Sequence, residues 1–184
     1  MVAETIQFIC DELNEYYTDQ QEPFVEMGNV ALKDTLSKDN VIATLVNIEE
    51  EKTLKNGSHY VSNGDNLSKR NPTIYLNLYV LFSCALDDYS KALPKIQRVL
   101  LFFQKQYVFN KENSATDFPS GVGVEKIILD LFTLNFEQLN HLWGIMGGHY
   151  MPSVLYKLRI VAVQNADLTD VAEIKEIEAN ANLN

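Results

Sequence analysis

The hydrophobic positions of this chain change period several times along its length, and each change marks an element. Ile6, Ile9, Leu13 and Tyr17 recur at spacings of three and four, with Glu4, Asp11, Glu12 and Glu15 elsewhere around the turn, which predicts an amphipathic opening helix. After Pro23, the stretch Phe24, Val25, Glu26 and Met27, closed by Gly28 and Asn29, reads as a brief strand and a turn. Residues 41–48 are rich in β-branched side chains and run into Glu49, Glu50, Glu51 and Lys52, so a strand leaves the core and ends in a charged tip. Residues 53–72 are mostly Asn, Gly, Ser, Lys and Asp, and are expected to form a long loop that offers a contact surface.

Residues 73–83 place Ile74, Leu76, Leu78, Val80 and Phe82 on one side and Tyr75, Asn77, Tyr79 and Leu81 on the other, the clearest strand in the chain. In residues 88–106 the set Ala92, Ile96, Val99, Leu100 and Phe103 has helical spacing, with Pro94 expected to kink or restart the helix and its main part to begin near Leu93. A loop over 110–123 leads into a strand over 124–134. Asn135 and Gln138 then form a capping-box pair ahead of the stripe Leu139, Leu142, Trp143 and Met146, which Gly147 and Gly148 end. Residues 153–164 alternate again, and the acidic tail beyond Asn165 holds Val171, Ile174 and Ile177 as seeds of a marginal helix. There is no internal repeat. The order predicts an α+β fold, a single domain over 1–165 with a mixed or antiparallel sheet of about four to five strands packed on one face by about three helices. Residues 166–184 are expected to form a tail that is flexible or ordered by a partner.

Composition narrows the function classes. With 184 residues and 46% hydrophobic content the chain has material for one sizeable core. Its 15 Lys and Arg against 25 Asp and Glu give a net charge of -10, which argues against a phosphate-tracking surface and so against nucleic acid. Cys10 and Cys84 have no paired spacing and imply no disulfide framework. The start Met1-Val2-Ala3-Glu4 lacks the pattern of a signal peptide, and no apolar run reaches the roughly 18 residues of a membrane span. The chain is expected to be made in the cytoplasm without inserting into a membrane.

A search for chemistry returns no catalytic, cofactor-binding or metal-binding set. His59, His141 and His149 lack the spacing of a helical metal pair. Gly121-Val122-Gly123 lacks a third glycine and precedes a strand instead of a helix. Glu49, Glu50 and Glu51 are general acid-base candidates in type, but a solvated or interfacial charge run is the plainer reading. The aromatic residues are not interleaved with basic ones as base-stacking surfaces require. Trp143 is either a core filler or an interface anchor.

Three stretches, LVNIEEEKTLKN (45–56), NPTIYLNLYVLF (71–82) and FEQLNHLWGIMGGHYMPSVLYK (136–157), resemble the tail-terminator, or cap, family of extracellular contractile injection systems of the antifeeding-prophage and virulence-cassette type. The resemblance runs from the first helix to about residue 164 and departs at Pro94, where an uninterrupted helix is expected. It implies a structural protein without enzymatic activity, forming a homo-hexameric ring that meets the inner tube and sheath proteins and stops polymerisation. Two partner-binding regions are expected: Asn47, Glu49, Glu50, Glu51 and Lys52 at the strand tip, and Asn140, His141, Trp143, Gly147, Gly148, His149 and Tyr150 on the short helix and its exit. A tail-completion or baseplate adaptor of the same kind of particle is the alternative, with a small cytoplasmic enzyme as a remote one.

Overall fold

The computed structural model describes residues 1–18, 23–35, 40–51, 60–63, 66–70, 75–84, 88–162 and 168–171. Helix α1 (Val2–Tyr16) buries Ile6, Ile9 and Leu13 of the apolar stripe read from the sequence, with Phe8 and Cys10 buried beside them and Tyr17, the last of the stripe, half-buried at its C-cap. Strand β1 (Val25–Met27), a 3-10 turn (Val30–Thr35) and strand β2 (Val41–Glu50) follow, then β3 (Tyr60–Asn63), β4 (Asn66–Arg70) and β5 (Leu76–Cys84). Helix α2 (Tyr89–Lys105), strands β6 (Val108–Asn110) and β7 (Val124–Phe132), helix α3 (Phe136–Ile145), and strands β8 (Ser153–Ala162) and β9 (Leu168–Val171) complete the order.

Six strands form one sheet in the order β1-β2-β5-β8-β7-β6, parallel between β1 and β2 and antiparallel elsewhere. The α+β, mixed-sheet reading holds, with one strand more than expected because the edge strand β6 is only three residues long. Helix α1 ties the two edges of the sheet together. The Asn14 amide donates to the Val25 carbonyl and accepts from the Val25 N–H, both at 2.9 Å, while Phe8 meets Phe109 of β6 edge-on at 5.8 Å. The sheet therefore curls around α1 and α2, whose Val99, Phe102 and Phe103 join Leu78, Val80, Phe82, Leu158 and Ile160 in the main core.

The helices do not share one face, as the sequence reading had it. Leu142 and Trp143 of α3 pack with Tyr79, Leu81 and Leu155 on the opposite side of the sheet, together with Val30. The physical reason lies in β5 and β8, which are apolar on both faces near this end, so each face requires cover.

Three further expectations change. Helix α2 starts at Tyr89, not near Leu93, because Asp88 caps it: its side chain accepts from the Ser90 N–H, and its carbonyl accepts from Lys91 and Ala92. Pro94 sits inside the continuous helix and leaves the Ser90 carbonyl without its usual donor. Within the expected loop at 53–72, β3 and β4 pair antiparallel in register from Tyr60↔Lys69 to Asn63↔Asn66, and β9 pairs with β4 in a separate three-stranded sheet. Val171 of the expected marginal helix thus belongs to a strand, whereas Ile174 and Ile177 lie outside the described residues.

Candidate functional site

A single β-bulge positions the first group of expected contact residues. Up to Leu45, which pairs with Val80, the odd-numbered residues of β2 face the α1/α2 core. The register then shifts, and Asn47 pairs with Tyr79 on the other face, leaving Val46 as the extra residue. From there Asn47 and Glu49 project from the same side of the sheet as α3, and Glu51 follows their alternation. Without the bulge the Glu49 carboxyl would be aimed at the helix side.

The register builds two polar rows across this face. Asn47, Tyr79, Lys157 and Asp130 are successive cross-strand partners, and Glu49, Asn77 and Arg159 form the next row. The Tyr79 hydroxyl donates to Glu49 Oε2 at 2.7 Å, and the Asn77 amide donates to Glu51 Oε2 at 3.1 Å. Lys157 Nζ lies 3.9 Å from the same Glu51 oxygen, and Arg159 pairs with Asp130 at 2.8 Å. Burial, reinforced by the hydrogen bond to Glu49, pushes the Tyr79 phenol up to about 12. Asn47 reaches Glu49 Oε1 at 3.5 Å, Glu50 is exposed, and Lys52 lies outside the described residues.

The second group sits on and beyond α3, over the adjoining apolar rows. The Asn135 side chain accepts from the Gln138 N–H at 2.8 Å and the Gln138 side chain accepts from the Asn135 N–H at 3.0 Å, closing the expected capping box. Asn140 and His141 are exposed on the outer side of the helix. Trp143 points inward and is only 4% exposed, with Tyr150 edge-on to it at 5.8 Å. Gly147 and Gly148 take φ of 99° and 76°, the left-handed conformation that ends the helix, and the Gly148 N–H donates to the Trp143 carbonyl at 2.7 Å. His149 and Tyr150 are exposed beyond them.

The two groups, far apart in sequence, therefore share one side of the sheet: a polar half beside an α3-covered half. Sequence reading missed Tyr79, Asn77, Lys157, Arg159 and Asp130 as members of this surface, although the alternation of β5 and β8 placed the first four on common faces. Among the described residues no group of three or more His, Cys, Asp or Glu is arranged to hold a metal ion. No helix among them is long and apolar enough to cross a membrane.

The sequence profile of the Pvc16 N-terminal domain matches residues 4–175. The chain belongs to that family. No curated protein matches it in sequence. Among solved structures it is similar to the sheath/tube terminator of the extracellular contractile injection system PVC in the extended state, with a TM-score of 0.59 and 15% identity over 100% of this chain and 65% of that one. It is also similar to the tube-terminating cap of the anti-feeding prophage, with a TM-score of 0.63 and 11% identity over 98% of this chain and 62% of that one. The fold of this family member is thus the fold of those two proteins, and the chain spans under two thirds of the length of each.

Proposed function

We propose that this protein caps the end of the inner tube and sheath of a contractile injection particle as a homo-hexameric ring and so terminates polymerisation. The observation that carries this reading is the match to the Pvc16 N-terminal domain over residues 4–175, joined to a fold shared along the whole chain with a sheath/tube terminator and a tube-terminating cap. The surface supports it in kind: the α3 side of the sheet carries an open, hydrogen-bonded polar half and exposed apolar residues, which is the make-up of a protein interface and not of an enclosed reaction site.

In this reading, Asn47, Glu49, Glu50, Glu51 and Lys52 meet tube or sheath, while Asn140, His141, Trp143, Gly147, Gly148, His149 and Tyr150 form or support contacts between copies. Trp143 supports that surface from beneath, since it is buried within one copy. A ring uses two different complementary patches on each copy, and a third face meets the tube end. Growth stops because the cap presents no surface that accepts another tube ring. Assembly takes place in the bacterial cytoplasm, and the finished particle is released or membrane-anchored.

Deleting the gene should give tubes and sheaths of uncontrolled length, read by electron microscopy of purified particles. Particles of normal length from the deletion strain would overturn the proposal. A gold-labelled copy located at the baseplate end would replace capping with an adaptor role.

A further inference from the structure

Residues 131–156 contain one charged side chain, Glu137, in a chain of net charge -10. They nevertheless expose large apolar groups: Phe136 is 91% exposed, Ile145 79%, Tyr150 61% and Leu131 57%. Two copies of this protein repel each other through their net charge, so a stable contact between them is favoured where charge is sparse and apolar area can leave water. This stretch provides such a place at both ends of α3. Beside the N-terminal end lies an open groove of about 210 Å³, lined by Leu131, Phe132, Leu134, Leu139 and Leu155 among others. A cavity of roughly 150 Å³ lined by similar residues accommodates a benzene ring, so the groove has room for a large side chain. At the C-terminal end, Ile145 and Tyr150 stand out from the surface. Neither Ile145 nor Tyr150 lines this groove within one copy, so each copy leaves its own groove open.

We infer that the groove between the end of β7 and the start of α3 receives Ile145 of the neighbouring copy, with that copy's Tyr150 packing beside it, a head-to-tail contact that repeats around a closed ring. A protrusion and a complementary groove at different places on one surface generate a heterologous interface, which closes when the rotation between copies is a whole fraction of a turn. This rests on the ring proposed above and names the residues that would join its copies.

The test uses cells that assemble complete particles and replace the wild-type protein by two variants expressed together, Ile145→Cys and Leu131→Cys. Both positions are exposed and the native Cys10 and Cys84 are buried, so the new thiols are the accessible ones among the described residues. Oxidation of purified particles should give a covalent dimer only when both variants are present. A chain carrying both substitutions should give a ladder ending in a closed ring. Copies present at the tube end without that dimer, or a dimer formed by Ile145→Cys alone, would overturn the head-to-tail contact and leave capping intact. Particles of normal length lacking the protein would overturn capping, and this inference with it. Separately, Ile145→Arg should lower incorporation at least about tenfold with an unchanged unfolding midpoint; unchanged incorporation would sink the contact.

Discussion

Glu12 illustrates how much one side chain can hold. It is buried in α1, yet one of its carboxyl oxygens accepts from both the N–H and the hydroxyl of Thr116, at 2.6 and 2.7 Å, fastening the segment after β6 to the first helix. Phe118 adds an edge-on contact with Phe8 at 5.3 Å. Glu12→Ala leaves the part-buried Thr116 donors unmatched and should cost about 1–3 kcal/mol in chemical denaturation, with Glu12→Gln costing less because one acceptor remains. Tyr79 and Tyr156 offer a second check. Burial pushes both phenols up to about 12, from an ordinary value of 10.0. The folded chain thus holds these protons more tightly than the unfolded chain does. Their contribution to stability is fully present below pH 10.0 and is lost as pH rises towards about 12. Absorbance titration should show Tyr79 and Tyr156 ionising late, and Tyr79→Phe should remove one of those late transitions. Neither residue stood out in the sequence as anything but strand alternation, because a pKa depends on neighbours brought in from other strands.

At the scale of elements, α2 and α3 show what local sequence controls. The capping pair Asn135 and Gln138 was legible because both hydrogen bonds lie within four residues, and the start of α3 follows from it. Asn135→Ala should destabilise the protein by about 1 kcal/mol. Pro94 was legible too, but its consequence was not. Alone it argues for a kink or a restart of the helix, whereas the Asp88 cap and the burial of Ala92 and Ile96 keep α2 continuous through it. The ring is exposed, so Pro94→Ala restores a donor to Ser90 without opening the core. It should raise stability by about 2 kcal/mol after allowance for the freer unfolded chain, measured by urea unfolding. The β3–β4 pairing had a local signal that composition masked: Asn63-Gly64-Asp65-Asn66 places a two-residue Gly-Asp step between the paired asparagines.

For the whole molecule, the curled sheet separates two surfaces of different character. One is filled by α1 and α2 and makes the main core; the other is divided between α3 and the polar rows led by Glu49 and Asn77. If copies meet through the uncharged ends of α3, raising the salt concentration should strengthen their association, since it screens the repulsion between chains of net charge -10 and leaves apolar contact in place. Sedimentation at low and high salt measures this directly, and association that weakens with salt would point instead to a charge-paired interface.

The sequence by itself determined the α+β class, the presence of helices α1, α2 and α3, the alternation of β5 and β8, and the family resemblance. These depend on periodicity and residue type within a few turns of chain, which is where side-chain spacing and capping act. Only the tertiary structure decided that α3 covers the opposite face from α1 and α2, that β6 closes the far edge, and that Asn47 and Glu49 share a surface with α3. The last depends on one extra residue, Val46, whose bulge reverses which side of the sheet every later residue of β2 faces. Such a reversal is set by pairing with β5, some thirty residues further along the chain, and so is absent from any local pattern.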